Sequence, residues 1–200
     1  MRARDNPFAV HRLHALRYRL SNDGWDELLG RLWGFACRAA IVGPEGSGKT
    51  LLLGELAGRL ATTGLAPRLL TLTKGERRLD RDGRGLVAGA GPGEILLVDG
   101  ADELSFLAWS SLARASRAAG GLVVTTHRPG LLPTLWTCST SAELLADLVR
   151  ELLGKDAAAA LAPRLTELFA EHAGNLRAAL RALYDLYGDL PLTAGSPRGG

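Results

Sequence analysis

A chain of 200 residues has room for one domain and a small appendage, and none for a nucleotide fold beside a large substrate domain. Hydrophobic residues make up 46% of it, enough to bury a core, which excludes a wholly disordered chain. Its 24 basic and 21 acidic side chains leave a net charge of +3, too small for a dedicated polyanion binder.

Residues 7–20, PFAVHRLHALRYRL, read as an amphipathic helix with Pro7 in its first turn and Phe8, Leu13, Leu16 and Leu20 on its apolar side. Ser21 to Gly24 punctuate the chain, and GWDELLGRLWGF starts a second short helix. RAAIVG at 38–43 is an apolar strand ending at glycine, and TLLLGELAGRLA at 50–61 resumes helical spacing. A strand follows at 67–73. The polar, glycine-rich segment 74–94 reads as a loop or an irregular hairpin. ILLVD at 95–99 is a compact strand, 102–119 contain a helix, GLVVTT at 121–126 is a strand, and LPTLWTC at 132–138 a weaker one. Helices are expected at 141–154, 158–172 and 175–187, with the tail 191–200 disordered.

This alternation predicts a parallel α/β sheet flanked by helices, followed by a small all-helical lid. The expected organisation is N-terminal helices at 1–36 packing on a core at 37–139, the lid at 140–190, and the tail. Cys37 and Cys138 are isolated, without ligand-like spacing, which fits a reducing cytoplasm. No stretch approaches a membrane span and the first residues lack a secretion-signal pattern, so a soluble cytoplasmic protein is expected.

The basic residues are 21 arginines and three lysines, and one lysine stands where arginine would not serve. Gly43, Pro44, Glu45, Gly46, Ser47, Gly48, Lys49 and Thr50 form a complete GxxxxGKT loop between a strand and a helix. Its glycines let successive backbone N–H groups surround phosphates, at a helix N-terminus that favours negative charge. Lys49 reaches the β- and γ-phosphates as a flexible point charge, which the planar arginine fork does poorly. Thr50 offers a hydroxyl to Mg²⁺, and Leu51 completes the binding segment.

ILLVDGADE at 95–103 is the partner segment. Asp99 emerges at the carboxyl end of its strand and is placed to hold Mg²⁺. Gly100 separates it from the next acids, Asp102 and Glu103. Either can orient an attacking water, with Glu103 of slightly longer reach, or both can cap the following helix. GLVVTTHRP sets Thr125, Thr126, His127 and Arg128 at another strand's carboxyl end, toward the nucleotide crevice of such a sheet, where Thr126 or His127 can hydrogen-bond the γ-phosphate or the attacking water. Arg128 faces the γ-phosphate, a neighbouring subunit or the surface. In GNLRAALRALYDLY, Leu176, Leu180, Leu183 and Tyr187 make a packing stripe that leaves Arg177 free.

Taken together, residues 25–188 resemble an AAA+-type P-loop ATPase: Gly43–Thr50 is similar to Walker A, ILLVDGADE to Walker B, and LVVTTH to the sensor-1 strand. Asn175-Leu176-Arg177 resembles the sensor-2 signature of clamp-loader and replication-initiator members. The resemblance implies ATP and Mg²⁺ as cofactors, hydrolysis of the β–γ bond, and a lid that responds through Arg177. ATP is preferred over GTP on the resemblance, since no NKxD guanine motif occurs. Only about six residues separate the sensor-1 strand from the next, so a finger helix for a cooperative ring does not fit; self-association stays open. DGADEL followed by LVVTTHRPGLLPTL also resembles NACHT-type signal-transducing NTPases, which carry attached sensor or effector domains.

Two other functions compete with hydrolysis: a nucleotide-regulated interaction module, and a small-molecule kinase on the same core. A partner protein is expected. Nucleic acid is the alternative partner, through N-terminal arginines and the Arg77, Arg78, Arg81 and Arg84 segment. Asp80 and Asp82 lie among these cations, and aromatics do not interleave with them as a stacking platform requires.

Overall fold

The computed structural model describes residues 6–8, 18 and 20–189. The predicted helix at 7–20 lies outside these apart from residues 7, 8, 18 and 20, as does the tail 191–200. The chain forms two compact units, one within 17–139 and one from residue 140 onward that also includes residues 6–8.

The first unit is a five-stranded parallel sheet in the order β2-β3-β4-β1-β5. Its elements are α1 (Asn22–Gly34), β1 (Arg38–Val42), α2 (Lys49–Ala61), β2 (Ala66–Thr71), α3 (Arg81–Ala88), β3 (Glu94–Asp99), α4 (Phe106–Ala115), β4 (Gly121–Thr126) and β5 (Thr134–Thr137). Central strands buried on both faces read as unbroken apolar runs. Ala39, Ile41, Leu97 and Val123 face a cluster with Trp25 and Leu28 of α1 and Leu52, Leu53 and Leu56 of α2. Ala40, Val42, Leu96, Val98, Leu122 and Val124 face the opposite cluster with Val87 of α3 and Leu112 of α4. Alternation along each strand thus sends neighbours to opposite helical layers.

The segment 74–94 corrects the expected loop or hairpin, because it contains α3. Asp80 is its N-cap, accepting from Gly83 N at 2.7 Å, and Val87 is buried. Two glycines inside an eight-residue helix hide it from propensity reading; the cap and packing onto the sheet offset that weakness.

No helix joins β4 to β5, and residues 127–133 make the connection. Such a short parallel crossover suffices because β5 is four residues long and begins opposite Ala40, well along β1. Leu131 and Leu132 pack on the α3/α4 face as it passes.

The second unit contains α5 (Ala142–Leu153), α6 (Lys155–Glu171) and α7 (Leu176–Asp189). Gly154, at φ +86°, ends α5 and opens α6, in a positive-φ conformation that glycine adopts without a Cβ penalty. Leu145, Val149, Leu165, Leu168, Leu176, Leu180 and Leu183 form its core with Phe8. Phe8 and Tyr187 meet edge to face at 5.2 Å, and Asn6 Nδ2 donates to Tyr184 O at 2.8 Å. Among the described residues no helix is long and apolar enough to cross a membrane.

Candidate functional site

The strand order explains the site. β1 delivers the glycine loop, β3 delivers Asp99, and β4 lies between them. All three end on the same side because the sheet is parallel, opening a crevice at their carboxyl ends.

Gly43 leaves β1 against the end of β5. A Cβ there would come within 2.5 Å of Cys138 O and 2.8 Å of Ser47 Oγ, so only glycine fits. Gly46 and Gly48 turn the loop at φ +76° and +86°. Ser47 is buried, its Oγ donating to Pro44 O at 2.8 Å, while Pro44 and Glu45 stay exposed. Lys49 opens α2, and its Nζ folds over the loop to donate to Gly43 O at 2.7 Å and Pro44 O at 2.8 Å. Partial burial lowers the Lys49 ammonium below its ordinary value; Cys138, Asp102, Asp99 and Glu45 act in the opposite direction. Leu51 follows in the first turn, half-buried.

Thr50 Oγ1 donates to Asp99 Oδ2 at 2.8 Å, so the two predicted metal ligands meet across the sheet. Thr125, which the sequence puts at a strand's carboxyl end without a role, occupies the intervening strand. Val98 pairs with Val124, which sets Asp99 level with Thr125. Thr125 Oγ1 donates to Asp99 Oδ1 at 2.5 Å and accepts from Gly100 N at 2.8 Å. The residue is 1% exposed, so its hydroxyl aims a carboxylate rather than meeting solvent. Its place at a strand end was visible in the sequence, but not which strand stood beside it.

Thr125→Val leaves Asp99 Oδ1 and Gly100 N short of a partner, a cost of about 1–3 kcal/mol. We expect lower thermal stability and loss of Mg²⁺-dependent nucleotide binding, with recovery in Thr125→Ser. Unchanged metal dependence in Thr125→Val, measured by titrating Mg²⁺ against bound nucleotide, would show that Asp99 needs no such support.

The glycine after Asp99 has a geometric reason. Gly100 sits at φ +82° and opens a single 3₁₀ turn, Ala101–Glu103, that redirects the two acids. Asp102 Oδ2 accepts from His127 N at 2.8 Å and pairs with His127 Nδ1 at 2.6 Å. Glu103 Oε2 accepts from Gly75 N at 3.0 Å, a contact with the segment after β2. Thr126 is buried and donates to Arg128 O at 2.8 Å, holding its own turn. Arg128 is exposed.

Two further neighbours of the loop were not anticipated. The Tyr18 ring lies 3.3 Å from where a Cβ on Gly48 would be, and its hydroxyl donates to Cys138 Sγ at 3.3 Å. Burial, then Cys138, pushes the Tyr18 phenol well above its ordinary value. In the helical unit, Arg177 is exposed on the first turn of α7, whose start Asn175 caps by accepting from Ala178 N at 3.0 Å.

Among the described residues no group of three or more His, Cys, Asp or Glu side chains could hold a metal alone. The pair Thr50 and Asp99 nevertheless fits Mg²⁺, which keeps waters and phosphate oxygens and takes only one or two protein ligands.

No protein-family model matches the chain, and no curated protein matches it. Among solved structures, a Thermotoga maritima RuvB variant aligns at 17% identity over 82% of this chain and 61% of its own, with a TM-score of 0.52. Another Thermotoga maritima RuvB, described as a Holliday junction branch migration motor, gives 18% identity over 82% and 62%, with a looser TM-score of 0.48. C. elegans PCH-2 gives 12% over 87% and 70%, at 0.42. The chain spans about three fifths of the RuvB chains it matches. What it shares with the first of them is a fold: a parallel α/β sheet flanked by helices with a small helical extension, the architecture of AAA+ P-loop NTPases.

Proposed function

We propose that this chain is a Mg²⁺-dependent ATPase that cleaves the β–γ bond and passes its nucleotide state to the helical unit. The observation that carries the reading is the contact of the Oγ1 of Thr50, the last residue of a complete phosphate loop, with Asp99 Oδ2 at 2.8 Å. The loop N–H groups and the N-terminus of α2 bind the phosphates. Lys49 exchanges its two loop carbonyls for phosphate oxygens. Thr50 and Asp99 would hold Mg²⁺, which would supply charge neutralisation to the phosphates.

Asp102, oriented by His127, is the acid we assign to the attacking water. One of its oxygens is taken by His127, its charge acts on Lys49, and its other oxygen has no partner among the described residues. Glu103, the other candidate, is drawn toward Gly75 and serves to tie the site to the neighbouring loop. Thr126 supports the turn carrying His127. Arg177 is the cation we assign to sensing in the helical unit, on the Asn175-Leu176-Arg177 resemblance to clamp-loader and initiator lids. ATP is favoured over GTP for the same reason.

The test is phosphate release with ATP and with GTP, across protein concentrations and with and without DNA. Asp102→Asn is expected to keep nucleotide binding and slow turnover by about 10²-fold or more, the scale of a positioned general base. Glu103→Gln should lose less. The reverse ranking would transfer the water to Glu103. The second reading, a nucleotide-regulated interaction module, is favoured by the engagement of both acids with other groups and the helix-free β4–β5 connection. It predicts tight ATP binding, no phosphate release, and an ATP-dependent change in partner affinity.

A further inference from the structure

Phe106 and Leu107 are 80% and 77% exposed, consecutive in the first turn of α4. The helix spends Leu112 on the sheet core, with Ala108 and Trp109 packed partly against it. Nothing among the described residues covers the first-turn pair. Two adjacent large apolar side chains at that exposure exceed the scattered single ones that ordinary surfaces carry.

The neighbourhood is basic. Ser105 N donates to Arg77 O at 3.0 Å, which lays the segment after β2 alongside the start of α4. That segment and the head of α3 carry Lys74, Arg77, Arg78 and Arg81, all exposed. None of the four is ion-paired among the described residues. Two of its three acids, all but the exposed Asp82, are occupied differently: Glu76 accepts from Thr73 N at 2.6 Å and Asp80 from Gly83 N at 2.7 Å. They shape the backbone and leave the cations without partners.

We propose that Phe106 and Leu107, beside the segment that carries Lys74, Arg77, Arg78 and Arg81, dock an acidic segment of a partner protein that brings its own apolar side chains. Charge complementarity selects the acidic partner and steers its approach. The apolar pair selects protein over nucleic acid. One phenylalanine beside a leucine is no stacking platform for successive bases, whereas a protein segment can bury both against aliphatic groups. The face joins the nucleotide site through Gly75 N on Glu103 Oε2, although the docking itself does not depend on nucleotide chemistry.

The probes are a helical peptide with leucines on one face and glutamates on the other, its lysine counterpart, a poly-glutamate peptide, and a single-stranded oligonucleotide. Fluorescence anisotropy is read with the full chain in the absence of nucleotide. The Glu/Leu peptide is expected to bind, more weakly as salt rises. It should lose about tenfold or more in affinity in the double variants Phe106→Ser/Leu107→Ser and Arg77→Glu/Arg78→Glu. Trp33→Ala removes an apolar side chain that is 44% exposed on α1 and should change nothing. Thermal melting checks that each variant is folded, and because these side chains are exposed, melting is expected to stay close to the parent. Preference for the oligonucleotide would overturn the proposal in favour of a nucleic-acid face. Equal binding of the lysine peptide, of poly-glutamate, or of the Glu/Leu peptide by the Phe106→Ser/Leu107→Ser variant would also overturn it, as would no binding of the Glu/Leu peptide.

Discussion

Lys49→Ala is expected to abolish productive nucleotide binding. Each charge-assisted hydrogen bond to phosphate contributes about 1.5–3 kcal/mol, so losing two lowers affinity by roughly 10²–10⁴-fold. The fold should survive, because among the described residues the ammonium bonds only the loop carbonyls of Gly43 and Pro44. Titration calorimetry with ATP and Mg²⁺ measures the first effect and thermal melting the second. Lys49→Arg should restore little, since a planar fork does not fit the space over two converging carbonyls. Nucleotide affinity within a factor of a few of the parent in Lys49→Ala would remove the loop from the binding site.

Gly43→Ala is the second large effect, and it acts on the scaffold. The added Cβ would lie 2.5 Å from Cys138 O and 2.9 Å from Cys138 Cβ, and neither β1 nor β5 can yield cheaply. Cys138 N donates to Val42 O at 2.7 Å and Gly43 N donates to Thr126 O at 3.1 Å, so three strands are pinned there. Overpacking of this kind costs about 1–3 kcal/mol, a fall in Tm of roughly 2–12 °C. Nucleotide binding should fall with it. Gly58→Ala is the contrasting control: nothing lies within 4 Å of its position, inside α2. That change should stabilise by about 0.5–1 kcal/mol. Equal melting of the two variants would mean that crowding at Gly43 relaxes without cost.

Much of the α/β unit was legible in advance. RAAIV, EILLVD and GLVVTT carry unbroken apolar runs because both of their faces are covered, and the glycine loop between a strand and a helix is unambiguous. α3 was not legible, since glycines inside it depress helix propensity and its support comes from the Asp80 cap and from the sheet. Thr125 was not legible either. Thr125 and Thr126 are neighbours of the same type at one strand end, both 1% exposed. Only the position of β4 between β1 and β3 sends one hydroxyl to Asp99 and the other to its own turn.

Asp102 and Glu103 divide in the same way. Their spacing from Asp99 made both candidates, with Glu103 ahead by its slightly longer reach, while the left-handed turn at Gly100 sends Asp102 to His127 and Glu103 to Gly75. The sequence by itself therefore determined the parallel α/β class, the phosphate loop and the separation of Lys49 from Asp99. These depend on local periodicity and on residue types at fixed offsets along one chain. The tertiary structure decided which strand lies beside which, that Thr50 meets Asp99, and that Thr125 supports the pair. Those facts depend on strand order, and hydrophobic runs of equal apolarity carry no record of their neighbours.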